Sequence, residues 1–136
     1  MIVVDTNIIA YMTFATQYSA NVSSLHEQNS LWEAPSLWKS EFLSVVSLYY
    51  RKGLINHQES LQALDFAERL IGTREHKVLG KAVIDTVVNS TCASYDCEFI
   101  VLAERLDTKL ITYDKKLIQE FEGIAITPEV YLASFK

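Results

Sequence analysis

Short apolar runs alternate along the chain with longer stretches in which hydrophobic residues recur at helical spacing. Ile2–Val4 is a continuous β-branched run, typical of strands that are buried on both faces of a parallel sheet. Residues 31–34, 109–112 and 124–127 fit three further strands, and residues 75–79 fit a weaker one interrupted by charge. Strands alternating with helices predict a three-layer α/β/α sandwich around a central parallel sheet of four to five strands.

Capping residues and helix breakers set the expected helix boundaries. Asn56 with Glu59 three residues later resembles a capping box, and Gly53 is typical of the left-handed cap that ends a helix. Pro35 and Ser36 should introduce a long helix that runs to about Lys52. Another helix should start within residues 5–7. The remaining expected helices cover residues 23–29, 56–70, 80–89, 96–105 and 115–121, and a helical turn begins at residue 128.

Length and composition favour one globular domain over residues 1–136. The chain has 136 residues, of which 49% are hydrophobic, and a chain of this length buries about two-thirds of its unfolded surface. The formal net charge of −5 counts against a nucleic-acid binder, because contacts to phosphate need Lys and Arg. Carboxylates that hold a metal would reduce this negative field, so the argument from charge is weak.

The cysteines and the N-terminal sequence indicate no secretion and no membrane anchor. Cys92 and Cys97 have the spacing of neither a zinc pair nor a redox pair, and we expect small, partly buried thiols. The chain opens with a strand-like segment and lacks a basic stretch followed by a long apolar run. We therefore expect no signal peptide, no transmembrane span and a soluble, cytoplasmic protein.

Two acidic residues stand where predicted strands end. Asp5 directly follows Ile2–Val4, and Asp114 follows residues 110–113. Ligands of an open parallel sheet bind in the crevice beyond the carboxyl ends of its strands, so both carboxylates are expected there. Each also precedes a predicted helix, which makes an N-cap the alternative explanation.

Two further acidic residues lie on predicted helices. Glu41 falls outside the polar stripe of its helix and shares a face with Leu37 and Val45, so a purely structural role would need a buried Lys or Arg partner. Asp96 heads a helix, where an acid stabilises the helix dipole by about 0.3–1 kcal/mol. If Ser94 caps that helix instead, Asp96 is free to point into the crevice.

Four carboxylates gathered in one crevice would repel one another unless protons or a divalent cation held them together. Hard cations such as Mg²⁺ and Mn²⁺ prefer carboxylate and water ligands. The acids therefore predict a metal-dependent reaction, with phosphate as the favoured substrate group.

Four segments of the chain resemble the PIN-domain ribonucleases and, more narrowly, the VapC toxins of bacterial toxin–antitoxin pairs. They are residues 2–9 (IVVDTNII), 34–41 (APSLWKSE), 95–106 (YDCEFIVLAERL) and 110–117 (LITYDKKL). In this order they extend the resemblance from the first residues to about Pro128. It implies a PIN-like fold for the whole chain.

The resemblance also implies the roles of individual residues. The acidic quartet, which would bind one or two Mg²⁺ or Mn²⁺ ions and carry out catalysis, consists of Asp5, Glu41, Asp96 and Asp114. Thr6 and Thr112 would support it, and Asn7 would contact metal-bound water or substrate. The implied activity is endonucleolytic cleavage of structured RNA, such as loops of tRNA or rRNA, that leaves a 5′-phosphate and a 3′-hydroxyl.

The implied partners are a VapB-like antitoxin and, in a homodimer, a second copy of the chain. An Arg of the antitoxin would suit the acidic pocket, because its guanidinium fork pairs with carboxylates. Aromatic residues of the early helices either form a groove for an antitoxin helix or belong to the core, and both interpretations stay open for Tyr11, Phe14, Tyr18, Tyr49 and Tyr50.

Several charged residues flank the motif segments. Lys39, Lys115 and Lys116 are candidates for contacts to RNA phosphates, and ordinary solvated surface explains each of them equally well. The same two explanations apply to Arg51, Lys52 and Arg105. Glu98 points away from Asp96 on a regular helix and is expected to be solvated.

Two other functions compete with the nuclease. A phosphatase or phospho-acceptor domain would use Asp5 as nucleophile, but it needs a second acid beside the first or two residues on, where Thr6 and Asn7 stand. A PIN-like scaffold would bind RNA or protein without cutting it. Such scaffolds usually lack one or more of the acids, whereas this chain keeps all four.

Overall fold

Five short strands form the centre of the molecule. A computed structural model describes all residues from Met1 to Lys136. The strands are β1 (Ile2–Val4), β2 (Trp32–Pro35), β3 (Glu75–His76), β4 (Leu110–Ile111) and β5 (Ala125–Ile126). They lie in the order β3-β2-β1-β4-β5, and every neighbouring pair is parallel.

Helices cover both faces of this sheet. They are α1 (Thr6–Thr13), α2 (Ser19–Gln28), α3 (Trp38–Arg51), α4 (His57–Ile71), α5 (Gly80–Val88), α6 (Ser94–Arg105), α7 (Lys115–Glu120) and α8 (Pro128–Ala133). Buried residues of α1–α4 form one hydrophobic cluster and those of α5–α7 form another. The predicted three-layer α/β/α sandwich is confirmed, and the sheet has the larger of the predicted strand numbers.

The central strand shows how the sequence builds two cores from one sheet. Successive side chains of a strand point to opposite faces, and Ile2 and Val4 accordingly belong to the first cluster while Val3 belongs to the second. All three are at most 1% exposed. Burying each such side chain contributes about 1.5–3 kcal/mol, which explains why this run is apolar on both sides.

Two predicted helix ends have the expected local chemistry. The Asn56 side chain accepts a hydrogen bond from the Glu59 backbone N–H (2.8 Å), and Glu59 Oε1 accepts one from the Asn56 backbone N–H (3.0 Å), which completes the capping box of α4. Gly53 follows α3 with φ +72°, a conformation that glycine adopts without a steric penalty.

Three boundaries differ from the prediction. α2 begins at Ser19, four residues earlier than expected, because Val22 and Leu25 bury one face of that longer helix. Pro35 ends β2 instead of opening α3, and the next backbone N–H, that of Ser36, bonds to the His76 carbonyl (2.8 Å). β3 is shorter than predicted, with two residues at the edge of the sheet.

The cysteines are buried free thiols, as expected: Cys92 is 5% exposed and Cys97 is fully buried. None of the helices has the length and apolar character needed to cross a membrane.

Candidate functional site

The structure brings the four predicted acids to one pocket at the carboxyl edge of the sheet. Asp5 directly follows β1, and Asp114 lies three residues beyond the end of the neighbouring strand β4. Glu41 comes from α3 on one face of the sheet, and Asp96 comes from α6 on the other. The pocket has a volume of about 290 Å³, and its other lining residues are Thr6, Asn7, Ser44, Val45, Phe99 and Leu117.

Asp5 is both the helix cap and a pocket residue, so the two explanations are not exclusive. One carboxylate oxygen accepts a hydrogen bond from the Ile8 backbone N–H (3.1 Å), and the other accepts one from the Thr112 hydroxyl. Burial raises the pKa of Asp5 to about 6; these hydrogen bonds oppose the shift, and the charges of Asp114 and Glu41 add to it.

Thr112 links two of the acids from a fully buried position. Its hydroxyl donates to Asp5 and accepts from the Asp114 backbone N–H (2.9 Å). Asp114 in turn caps α7, with one oxygen accepting from the backbone N–H groups of Lys116 (2.9 Å) and Leu117 (3.2 Å). The hydroxyl therefore fixes the position of the Asp114 backbone relative to the Asp5 carboxylate.

Glu41 is half-buried, and its partner is a neutral hydroxyl. Thr6 donates a hydrogen bond to Glu41 Oε1 over 2.7 Å. Burial raises the pKa of Glu41, the Thr6 bond lowers it, and the charge of Asp96 raises it further. No Lys or Arg forms a salt bridge with this carboxylate, so the structural explanation that required a buried cation fails.

Asp96 is the least constrained acid of the four. Its side chain makes no hydrogen bond within the protein, and α6 has no side-chain cap, because Ala93 stands at the N-cap position. Ser94, the alternative cap, does not cap this helix, since it is the first helical residue. Burial and the charge of Asp114 raise the pKa of Asp96, and the nearby charge of Lys116 lowers it.

The four carboxylates form no salt bridge with any Lys, Arg or His of the chain. No three His, Cys, Asp or Glu side chains converge closely enough to form a ready-made metal cluster. A hydrated Mg²⁺ keeps several water ligands and needs only one or two direct carboxylates. The oxygen-only donor set and the room in the pocket therefore fit a hard, partly hydrated cation.

The other predicted contact residues are distributed unevenly around the pocket. Asn7 is exposed and lines it. Lys116 lies near enough to lower the pKa of Asp96, although its ammonium group also donates to the Thr91 carbonyl (2.7 Å). Lys115 is exposed and makes no salt bridge. Lys39 does not line the pocket and instead forms a salt bridge with Glu68 (3.1 Å).

The sequence did not predict that Ser44 lines the pocket or that Glu98 is partly buried. Ser44 lines the pocket, and its spacing of three residues from Glu41 on a helix is the signal that could have placed it there. Glu98 is half-buried, so it is less solvated than expected. Burial and the charge of Glu41 raise its pKa, which indicates that this side of α6 lies near Glu41.

The aromatic residues of the early helices pack mainly against one another. The rings of Tyr11 and Tyr18 lie 4.8 Å apart, and those of Phe14 and Tyr49 lie 4.4 Å apart. These four residues are half-buried, whereas Tyr50 is 53% exposed. Both interpretations therefore apply in part: Tyr11, Phe14 and Tyr18 pack against the core, Tyr49 stacks on Phe14, and Tyr50 faces solvent.

Comparison with known families identifies the domain. The family model described as PIN domain matches residues 2–122. The chain belongs to the PIN domain family. Members of this family are generally nucleases and typically depend on a divalent metal. Comparison with curated protein sequences gives no match.

Solved structures show the same fold at low sequence identity. PAE2754 from Pyrobaculum aerophilum is 17% identical, with a TM-score of 0.74 over 97% of this chain and 93% of that one. FitAcB from Neisseria gonorrhoeae is 15% identical, with a TM-score of 0.71 over 95% and 99%. A toxin–antitoxin complex from Klebsiella pneumoniae is 15% identical, with a TM-score of 0.63 over 94% and 98%.

Proposed function

We propose that this PIN domain is a cytoplasmic endoribonuclease that depends on Mg²⁺ or Mn²⁺ and acts as the toxin of a VapBC-type toxin–antitoxin pair. One observation carries the proposal: four carboxylates from four separate elements line a single pocket, and none of them forms a salt bridge with a Lys, Arg or His. An exogenous divalent cation is the natural counter-charge for such a set.

The residues that would hold the cation are Asp5, Glu41, Asp96 and Asp114. When bound, it supplies Lewis-acid stabilisation of the charge that develops on phosphate oxygens during phosphodiester hydrolysis. Asp96 is free to bind directly, since it has no hydrogen-bond partner in the protein. Asp114 uses one oxygen for its cap, and its other oxygen is left for the pocket.

Neutral residues would keep the acids in position for the reaction. Thr112 holds the Asp5 carboxylate and the backbone of Asp114, and Thr6 holds Glu41. Neither hydroxyl removes negative charge, so the affinity of the pocket for a cation is preserved. Asn7 lines the pocket without a bonded partner, which leaves its amide available to metal-bound water or RNA.

The proposed substrate is structured RNA such as a tRNA or rRNA loop, where unpaired bases are accessible. Lys115 and Lys116 lie beside Asp114 and could contact phosphates at the rim. Lys39 is a weaker candidate, because Glu68 already neutralises it. Selectivity would then come from loop shape and rim contacts rather than from the four acids.

The antitoxin partner is supported by the toxin–antitoxin complex among the structural neighbours. A groove between α1 and α4, which we name the α1–α4 groove, is lined by Met12, Thr13, Phe14, Ile55, Glu59, Gln62, Ala63, Phe66 and Arg69. Its mixture of apolar and charged lining residues suits an amphipathic helix. An Arg from the same partner would then inhibit the enzyme by pairing with the carboxylates of the pocket.

The homodimer is supported by exposed apolar residues on and next to α5. Leu79 is 71% exposed, Ile84 60% and Val88 75%. A second copy that covered this surface would remove apolar area from water, which favours association. Light scattering should give twice the mass of one chain, and Ile84→Lys should lower it to that of a monomer. A monomeric wild-type protein at all concentrations would contradict the homodimer.

The activity is tested with purified, partner-free protein and total cellular RNA in Mg²⁺, Mn²⁺ or EDTA. We expect discrete fragments with 5′-phosphates in either metal, and none in EDTA or with Asp96→Asn. Asp85→Asn is the matched control, since Asp85 is an exposed acid on α5 outside the pocket. Cleavage that persists in EDTA and in Asp96→Asn would contradict the proposal. No cleavage by a folded wild-type protein that binds RNA would favour the non-catalytic PIN-like scaffold.

A further inference from the structure

A second surface cavity lies beside the acidic pocket, along α3. It is lined by Ser44, Val45, Ser47, Leu48 and Arg51 and has a volume of about 310 Å³; we name it the α3 groove. Ser44 and Val45 also line the acidic pocket, so the two cavities are adjacent and share part of their lining. A chain that passes through one can therefore enter the other without leaving the protein surface.

Helical spacing places Glu41 and residues of the α3 groove on the same side of α3. Residues three and four apart lie on the same side of a helix, and Glu41, Ser44, Leu48 and Arg51 follow this spacing. Ten residues separate Glu41 from Arg51, which corresponds to about 15 Å along the helix axis. The groove therefore reaches from the acids to Arg51 over the length of a few nucleotides.

The chemistry of the groove changes along its length. Serine hydroxyls and an arginine are side chains that contact phosphate and sugar oxygens, while Val45 and the 51% exposed Leu48 offer an apolar surface to bases. Arg51 is exposed and forms neither a salt bridge nor a side-chain hydrogen bond. Its planar fork is therefore free to bind a phosphate in a bidentate manner.

Charge favours a nucleic-acid strand as the occupant. The acidic pocket repels the phosphates that flank the bond to be cut, so affinity for them must come from cations outside it. Arg51 supplies such a cation at the far end of the α3 groove. Lys52, the next residue, is also exposed but lines neither cavity.

We propose that the α3 groove binds the RNA strand next to the cleaved bond and that Arg51 holds a phosphate a few nucleotides from the acids. This inference rests on the proposed ribonuclease function and assigns the path of its substrate. Single-stranded or looped RNA fits the groove, because an unpaired strand exposes both its phosphates and its bases.

The test measures binding of a fluorescein-labelled oligouridylate by fluorescence anisotropy at several NaCl concentrations. All proteins carry Asp96→Asn, so the probe stays intact. Arg51→Gln should weaken binding at low salt by about tenfold and reduce the slope of log K against log[salt] by about 0.7, the value for one lost phosphate contact on a single strand. Arg51→Lys should restore the slope but only part of the affinity, since charge is kept and the fork is lost.

Lys52→Gln is the matched control, because it removes the same unit of charge one residue away. We expect it to keep the slope of the parent protein. Equal slopes for Arg51→Gln and the parent, or equal losses for both glutamine variants, would overturn the assignment of the groove. If wild-type protein still cleaves RNA in a metal-dependent manner, either of these results contradicts only the assignment of the RNA strand to the α3 groove. Absence of both RNA binding and cleavage would overturn the proposed function together with the path.

Discussion

Two buried carboxylates, on or directly after neighbouring strands, differ in the partners that the rest of the chain provides. Glu33 on β2 is 7% exposed and lies 2.9 Å from His76 Nε2 and 3.6 Å from Arg74 Nε. Asp5 at the end of β1 is 9% exposed and has only neutral hydrogen-bond donors. The protein gives the first acid basic partners, Arg74 and His76, and leaves the second without one.

The comparison separates an acid that has basic partners within the fold from acids that line a pocket without them. A buried charge with a cation partner needs nothing from outside, whereas unpaired acids in a pocket raise each other's pKa and favour any cation that enters. Burial is the main cause of the raised pKa values of Asp5, Glu41 and Asp96, and neighbouring acids add to each shift. The four predictions below either sharpen this contrast or remove it.

The largest effect should be on cleavage. Asp96→Asn should lower the rate of RNA cleavage by more than about 100-fold, the upper range for residues that only orient metal ligands. Glu33→Gln should leave the rate within about twofold of wild type, since Glu33 lies outside the pocket. Rates are measured in Mg²⁺ under single-turnover conditions. Equal losses in the two variants would remove the distinction between site and fold.

The second prediction concerns pH and Asp5. Its pKa in the folded state is about 6, above the value of about 3.9 for an unfolded Asp, so the folded protein holds the extra proton. The stabilisation of the folded protein by this proton is complete below pH 4 and is lost as the pH rises through 6. We compare the free energy of unfolding of Asp5→Asn with that of wild type in EDTA. As the pH rises from 4 to 8, this difference should shift by about 3 kcal/mol in favour of the variant.

Urea unfolding at both pH values measures this difference, and Asp85→Asn is the control. Asp85 is an exposed residue that forms a salt bridge with Lys81 on the same helix. The difference in free energy of unfolding between Asp85→Asn and wild type should be nearly the same at both pH values. Mg²⁺ at pH 8 should raise the stability of wild type and not that of Asp5→Asn. A pH-independent difference for Asp5→Asn would show that its ionisation does not oppose folding.

The third prediction is a stability loss at the paired acid. Glu33→Gln should lower the free energy of unfolding by about 2 kcal/mol at pH 7, because Arg74 loses a charged partner. Added Mg²⁺ should not restore the loss. Urea unfolding with and without the metal gives the result. Recovery in Mg²⁺ would mean that Glu33 also contributes to a metal site.

The smallest effect should come from a supporting hydroxyl. Thr6→Val removes the 2.7 Å hydrogen bond to Glu41 without changing side-chain shape and should lower the cleavage rate by about tenfold. Thr73→Val is the control, since Thr73 is exposed and makes no side-chain hydrogen bond. A wild-type rate for Thr6→Val would show that Glu41 needs no support for its role.

The fold was largely predictable because its signals are local. The alternation of apolar runs and helical periods gave the sandwich, and Asn56, Glu59 and Gly53 marked helix ends through their own backbone chemistry. The start of α2 and the role of Pro35 were wrong because neighbouring elements decide them. Pro35 can end β2, since β3 pairs alongside it.

The site was predictable in part. The four acids could be named because they occur together in the order of the PIN-like motifs, although capping or the helix dipole explained three of them singly. Parallel strands place Asp5 and Asp114 at one edge. The linking role of Thr112 and the partial burial of Glu98 depend on tertiary packing. The pairing of Lys39 with Glu68 joins α3 to α4, so no motif on either helix could indicate it.

The central claim is that the unpaired acids form a cation site, and calorimetric titration of the purified protein with Mn²⁺ tests it without knowledge of the RNA target. Wild type should bind the ion with release of protons near pH 6, because ligands must lose protons to bind metal. Asp96→Asn should bind it much more weakly, and Asp85→Asn should match wild type. Equal binding by wild type and Asp96→Asn, or no binding by wild type, would contradict the account.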